Sequence, residues 1–344
     1  MRATPFLMFQ GQAKEALALY RKAFPDYEEL LLQEHTEGDQ AGQIAMARIR
    51  IAGLEIMLYD SPPVHKFTFT PSTSTFIQCD DEAQLRRLAE VLGEGGGVMM
   101  PLDNYGFLLH DPVSGETACI DTPDAEAYLR EAAAKKWRIT AIWNTHWHPD
   151  HAGGNAAIKA ATECEVIAPA VDAPKIAGVD RTVKNGDRVN LGAWTAEVID
   201  VGGHTMGHIA YHLPEAELAF VGDSLFALGC GRMFEGTPPQ FWASLSRLKA
   251  LPPQTTLYCA HEYTQANARF ALHADPDNVE LQLYAREVDA KRARREPTVP
   301  TQLARELATN PFLRADEEDM RNRWGGADPV ETFARLRAAK DDFR

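Results

Sequence analysis

Three imidazoles and a carboxylate crowd the run Thr145, His146, Trp147, His148, Pro149, Asp150, His151, directly after the apolar stretch ITAIWN. That is more than the three protein ligands of a catalytic ion with an open position, so two adjacent ions are the natural reading. Further donors recur in the same setting: His204 after VIDVGG, Asp223 after LAFVG and His261 after TLYCA. Each closely follows a strand-like run, so the strand-end loops are expected to converge on one edge of a sheet, where open α/β sheets bind ligands. Two cations sharing a water lower its pKa towards neutrality, and one of them polarises a carbonyl under attack. The chemistry implied is hydrolysis.

Other polar residues have plainer readings. His208 and His212 alternate with Ile209, Tyr211 and Leu213, which suits positions behind the ligands or facing solvent. Asp121, ending the run ACID, is expected to hydrogen-bond the metal loop from behind. His35, His65, His110 and His273 are isolated, Cys230 in GCGR reads as a small packed residue, and Lys291, Arg292, Arg294 and Arg295 read as a solvated helix face.

The elements that must position these groups follow from periodicity. Short apolar runs, GVMMPL, ACID, ITAIWN, EVIA, AEVIDV, IAYHL, LAFVG and TLYC, alternate with loops and a helix over 124–136, which predicts a layered α/β sandwich. Beyond His261 the charged stretches 278–295, 301–308 and 329–343 predict a helical C-terminal domain. Before residue 97 the signals differ. Ala13, Ala16, Leu17, Tyr20 and Phe24 fall at helical spacing, as do Leu85, Leu88, Ala89 and Leu92, while Ala45, Ala47, Ile49, Ile51 and then Leu54, Ile56, Leu58 read as a hairpin. The expected domains are 1–96, 97–261 and 262–344.

THWHPDH, with GGHTMGH, GDSLF and CAHEYT following in order, resembles the metallo-β-lactamase superfamily. The resemblance implies an αββα sandwich in which His146, His148 and His204 hold one divalent metal, Asp150, His151 and His261 the other, and Asp223 bridges. Zinc is the default, and iron or manganese would suit the same donors. DNYGFLLHD, GCGRMFEGT, HEYT, EPTVP, NPFLR and RAAKDDF narrow the resemblance to glyoxalase II across 97–344. It implies hydrolysis of S-D-lactoylglutathione to glutathione and D-lactate in methylglyoxal detoxification, with Asp150 orienting the attacking hydroxide. It also implies that Arg232, Arg337 and Lys340, with Tyr263, hold the glutathione moiety. Phe234 stands where many relatives carry Tyr. The segments PFLMFQGQAKEALALYRKAF and STFIQCDDEAQLRRLAEVL resemble an α+β vicinal-oxygen-chelate domain that lacks its last two strands.

Bulk properties bound these readings. The chain has 344 residues, 45% of them apolar, and a formal charge of −14. That balance gives no general attraction for nucleic acid, so an anionic substrate needs a local cationic pocket. The five cysteines are scattered without CxxC spacing, which argues against disulfides and a thiolate zinc site. No apolar run reaches membrane-helix length, and a cytoplasmic location is expected. The competing enzyme class is a mono-iron persulfide dioxygenase of the same superfamily, against which stand His261 and the helical C-terminal part. Residues 1–96 read as a binding or oligomerisation module. A fused glyoxalase I is disfavoured there because no convincing set of His, Gln and Glu ligands is found.

Overall fold

A computed structural model describes residues 4–38, 40–62, 84, 87, 88, 91, 92 and 104–343. The chain divides into two compact units, Met1–Pro101 and Leu102–Arg344. The run GVMMPL, His65, Cys79, Leu85, Ala89 and the expected boundary at 96/97 lie outside the described residues.

In the first unit, strand β1 (Phe6–Phe9) leads to a helix, Ala13–Ala23, then to β2 (Glu28–Glu34), β3 (Ile44–Ile51) and β4 (Leu54–Asp60). The sheet order is β1-β4-β3-β2, with β1 parallel to β4 and the rest antiparallel. The helix and the β3–β4 hairpin are the ones read from the periodicity, and β1 and β2 complete the sheet. Its core joins Ala13, Leu17 and Phe24 of the helical segment to Ala47, Ile49, Ile56 and Leu58 of the sheet. Asp60 is buried at the end of β4, where its carboxylate accepts the backbone N–H groups of Gly11 (2.8 Å), Ala13 (3.0 Å) and Ile44 (2.9 Å). It therefore seals the start of the helix to the sheet.

The second unit stacks two mixed sheets. One has the order β5-β6-β7-β8-β9, from Phe107–His110, Glu116–Ile120, Arg138–Trp143, Glu165–Pro169 and Arg181–Val183. The other has the order β10-β11-β12-β13-β16-β17, from Arg188–Leu191, Trp194–Asp200, Ile209–Leu213, Leu218–Gly222, Thr256–Cys259 and Thr301–Gln302. A hairpin, β14 (Leu225–Phe226) and β15 (Gly229–Cys230), stands apart. Alternation along each strand builds the layers. Ala118 and Ile120 of β6 face Val198, Ile209, Tyr211 and Phe220 between the sheets. Cys119, between them, points outward to Tyr128 and Ala132 of helix Ala125–Lys135. That helix begins where Asp124 accepts the N–H groups of Glu126 and Ala127, a side-chain cap. The outer face of the second sheet is covered by Phe241, Leu245 and Leu248, and by Phe270, Phe312, Phe333 and Leu336 of the helical C-terminal part. The result is an αββα sandwich with a helical extension.

Two expectations are corrected. The ligand-bearing loops leave both sheets, because β7 lies in one sheet while β11, β13 and β16 lie in the other; the site is at a shared edge of the sandwich. Of the two places open to His208 and His212, solvent is ruled out because both are buried, and His208 does lie behind the ligands, where its Nε2 accepts the Asp223 N–H.

Candidate metal centre

The loop after β7 is held from behind by Asp121, a buried residue in the left-handed region at φ 54°. Its Oδ1 accepts the Thr145 N–H (2.8 Å), and its Oδ2 accepts the Thr145 hydroxyl (2.8 Å) and lies 2.8 Å from His151 Nδ1. A carboxylate only accepts, so His151 carries a proton on Nδ1 and turns Nε2 to the site. The Thr145 hydroxyl, having donated to Asp121, accepts from His146 Nδ1 at 3.0 Å, which bares His146 Nε2. His204 Nδ1 donates to the Arg232 carbonyl at 2.7 Å, with the same consequence. The turn at Gly222 is open to no side chain, since a Cβ there would meet Thr145 Oγ1 at 2.5 Å and the His208 ring at 2.8 Å. Asp223 is thereby pressed against the histidines, and its N–H donates to His208 Nε2 at 3.0 Å.

Two ligand-like clusters result. His148 Nδ1 lies 3.0 Å from both His146 Nε2 and His204 Nε2. Asp150, His151 and His261 form the second, with Asp150 Oδ2 3.8 Å from His151 Nε2 and 3.7 Å from His261 Nε2. Asp223 stands between them: Oδ1 lies 3.4 Å from His151 Nε2 and 3.2 Å from His261 Nε2, and Oδ2 lies 3.4 Å from His204 Nε2. Tetrahedral zinc with nitrogen ligands at about 2.0–2.1 Å would set its donors about 3.3 Å apart, so these separations suit such ions. His151 Nε2 and Asp223 Oδ1 are buried without a hydrogen-bond partner. Buried polar atoms are otherwise almost always paired, and two orphans facing each other fit cations.

The electrostatics agree. Burial, with neighbouring imidazoles, pushes His146 well below its ordinary value and His148 down to about 4, so both are neutral donors at neutral pH. Burial opposes protonation of His151, but Asp223 and Asp121 outweigh it and raise the group to about 9. Burial also opposes ionisation of Asp223, yet His151, His261 and His204 hold its carboxyl well below the usual carboxylate range. The carboxylates that favour a proton on His151 would favour a metal cation in its place.

The predicted glutathione residues are placed less uniformly. Phe234 is exposed, with its ring centroid 5.2 Å from His204 and 5.8 Å from His148. Tyr263 stacks on His261 at 4.6 Å. The Arg232 side chain is 57% exposed and has Nε 3.4 Å from Asp341. Lys340 is half-buried over Phe270 (5.3 Å), donates to the Ala266 carbonyl (3.3 Å), and is pushed down to about 8 by burial and by Arg337 and Arg269. Arg337 differs. It is buried and donates to the carbonyls of Cys230 (3.0 Å) and Gly231 (3.4 Å) and to Asp341 (2.9 Å), so it braces the β14–β15 hairpin. Arg292 departs from the solvated-face reading, since it reaches back to Glu262 at 3.4 Å and to the Glu296 carbonyl at 3.0 Å.

The sequence did not single out Asn104. Its side chain donates to the Asp150 carbonyl (3.0 Å) and Oδ2 (3.2 Å), while its backbone bridges to His261. Asp172 and Glu235 were missed as well. Asn104 and Glu235 lie within the quoted runs DNYGFLLHD and GCGRMFEGT, and contact with distant segments is what gives all three a role.

Residues 262–343 match the family model described as hydroxyacylglutathione hydrolase C-terminus, and residues 113–261 match the metallo-beta-lactamase superfamily. Residues 1–111 match the 3-demethylubiquinone-9 3-methyltransferase model. A hydroxyacylglutathione hydrolase of Erythrobacter litoralis is 70% identical over 241 residues, covering 70% of this chain and 96% of that protein. One of Hyphomonas neptunium is 58% identical over 242 residues, covering 70% and 94%. For the first unit, the solved structure of a putative 3-demethylubiquinone-9 3-methyltransferase, PhnB protein, of Bacillus cereus is 30% identical, covers 33% of this chain and 84% of that one, and has a TM-score of 0.28.

Proposed function

The chain belongs to the hydroxyacylglutathione hydrolase family, and on that premise we propose how it hydrolyses the thioester of an S-(2-hydroxyacyl)glutathione. His146, His148 and His204 would hold one divalent ion and Asp150, His151 and His261 a second, with Asp223 between them. Two such ions supply a nucleophile from water at neutral pH and polarise the thioester carbonyl. Zinc suits a nitrogen-rich donor set, and iron and manganese accept the same donors. The observation that supports this reading most strongly is the pair of orphaned buried atoms, His151 Nε2 and Asp223 Oδ1, between the two clusters.

The chain's own residues do the rest. Asp121 and Thr145 fix protons of His151 and His146 on Nδ1, so both rings would turn Nε2 to an ion, His151 giving up its second proton as the ion binds. Asp150, whose side chain is 46% exposed, orients the attacking water from the open side of the site, and Asn104 holds its carboxylate in place. Arg232 and Lys340, with Tyr263 and Phe234, receive the glutathione moiety, while Arg337 braces the hairpin beneath them. Collapse of the tetrahedral centre breaks the C–S bond and releases glutathione thiolate and the 2-hydroxy acid.

The substrate we propose is S-D-lactoylglutathione, with methylglyoxal detoxification in the cytoplasm as the setting. No helix among the described residues is long and apolar enough to cross a membrane. The first unit we propose to be a binding or oligomerisation module, which light scattering of the full chain and of a chain starting at Gly95 would test. The hydrolase reading is tested by elemental analysis of chelator-free protein together with hydrolysis of S-D-lactoylglutathione. Two metals per chain and turnover are expected; turnover at full rate by metal-free protein would overturn it.

A further inference from the structure

Behind the His146, His148 and His204 cluster lie two carboxylates that no step of hydrolysis uses. Asp172, 1% exposed, sits in the turn after β8. It accepts the Thr205 hydroxyl through Oδ2 at 2.8 Å and the Gly207 N–H through Oδ1 at 3.1 Å, and the Trp147 backbone N–H also donates to it. Glu235, beyond Phe234, takes the same two loops from the outside. Its Oε1 accepts the Trp147 indole N–H at 3.1 Å and its Oε2 accepts the Met206 N–H at 2.8 Å. Lys175 closes the group, with Nζ 3.0 Å from Glu235 Oε1 and 4.2 Å from the centre of the Trp147 ring.

Trp147 lies between two residues of the cluster, His146 and His148, and Thr205, Met206 and Gly207 directly follow the third, His204. The two loops leave different sheets and are tied at their base by one backbone bond, from the Ile209 N–H to the Thr145 carbonyl (2.9 Å), so the separation of their tips at 147 and 205–207 is left to side chains. Gly207 allows the close approach, since a Cβ there would stand 2.4 Å from Asp172 Oδ1. Among the described residues neither Asp172 nor Glu235 touches the other cluster, where Asp121 and Asn104 hold His151 and Asp150.

We propose that Asp172 and Glu235 are positioning residues that clamp the 145–148 loop to the 204–207 turn and so set the affinity of the His146, His148 and His204 cluster selectively. This rests on the dinuclear reading above. Charge-assisted hydrogen bonds to loops behind ligands typically tune metal affinity ten- to a hundredfold. The clamp thus reaches the first cluster alone, Asn104 reaches the second alone, and Asp121 serves both, His151 directly and His146 through Thr145.

Stepwise zinc affinities of the full chain, measured by chelator competition, test the proposal, with His204→Ala and His261→Ala assigning each step to its cluster. Cobalt(II) absorption bands and the melting temperature of the metal-free protein are recorded alongside. Glu235→Ala and Asp172→Asn should weaken the step assigned to the His204 cluster about ten- to a hundredfold and leave the other within about threefold. Glu235→Gln, which keeps one acceptor oxygen, should fall between Glu235→Ala and wild type. Unchanged affinities would overturn the proposal, as would an equal loss at both steps that follows a lowered metal-free melting temperature. Wild-type protein that binds one ion only would overturn the dinuclear reading instead, and the clamp with it.

Discussion

Asp60 and Asp223 are both buried carboxylates at or just beyond a strand end, one in each unit of the chain, and their surroundings are opposite. Asp60 is consumed by three backbone N–H groups, which close a helix onto a sheet. Asp223 keeps Oδ1 unpaired and faces three imidazoles. A buried charge fully spent on the backbone maintains a fold, whereas one left open towards other polar atoms has been kept for something that is not protein. The described part of the first unit has the first kind of site, and the second unit has the second.

The sharpest way to break this contrast is to remove each carboxylate in turn. Asp223→Ala, and equally His151→Ala, should lower kcat by about a hundred- to a thousandfold or more, by analogy with loss of a preorganised electrostatic group. Asp60→Ala should leave hydrolysis unchanged and destabilise the first unit, since each buried N–H left unpaired costs about 1–3 kcal/mol. Thermal melts and steady-state kinetics on the three variants separate the outcomes. Loss of turnover in Asp60→Ala would erase the distinction between the units.

Arg337 sharpens it from the structural side. Its guanidinium gives Nη1 to the Cys230 and Gly231 carbonyls and Nη2 to Asp341 and leaves only Nε unpaired, so it resembles Asp60 more than Asp223 in its role. Arg337→Ala should cost about 1.5–3 kcal/mol, visible as a fall of roughly 3–10 °C in the melting temperature. Any loss of kcat/KM should be the same for glutathione thioesters and for thioesters lacking the glycine carboxylate. A loss confined to the glutathione thioester would instead give Arg337 a direct contact with substrate.

Lys340 should behave as a binding residue. Its folded pKa is pushed down to about 8, so its positive charge is present below that pH and lost above it. If Nζ attracts the anionic end of the substrate, kcat/KM should fall as pH rises through about 8, with kcat changing little, because such binding is uniform between ground and transition states. Lys340→Met should remove that alkaline limb and raise KM about tenfold at pH 7. The smallest effect is expected from deleting the first unit: a chain starting at Gly95 should retain kcat within about twofold, since the ligand and glutathione candidates all lie beyond it.

Much of this was legible in the residues. The short apolar runs from ACID to TLYC fall on strands, and the helical spacing in Ala13–Ala23 falls on a helix. Local periodicity reports which face is buried, and burial drove those elements. The seven ligand candidates were legible because each follows a strand end. Asp172, Glu235 and Asn104 were not, because their partners are 35, 88 and 46 residues away. The inward turn of Arg337 was hidden for the same reason: its partners Cys230 and Gly231 come from a hairpin more than 100 residues earlier. Spacing that suits a substrate pocket suits a brace equally well, and only the packed hairpin decides between them. Strands Phe107–His110, Arg181–Val183 and Arg188–Leu191 were passed over because they are short and owe their place to neighbours already paired.

The central claim is that two ions, held by two clusters joined through Asp223, are both required. The most direct test is to titrate metal-free protein with zinc while following hydrolysis of S-D-lactoylglutathione. Turnover should grow with added zinc, reach its plateau at two equivalents per chain, and stay near background in Asp223→Ala. A plateau at one equivalent, or full turnover with none, would contradict the account.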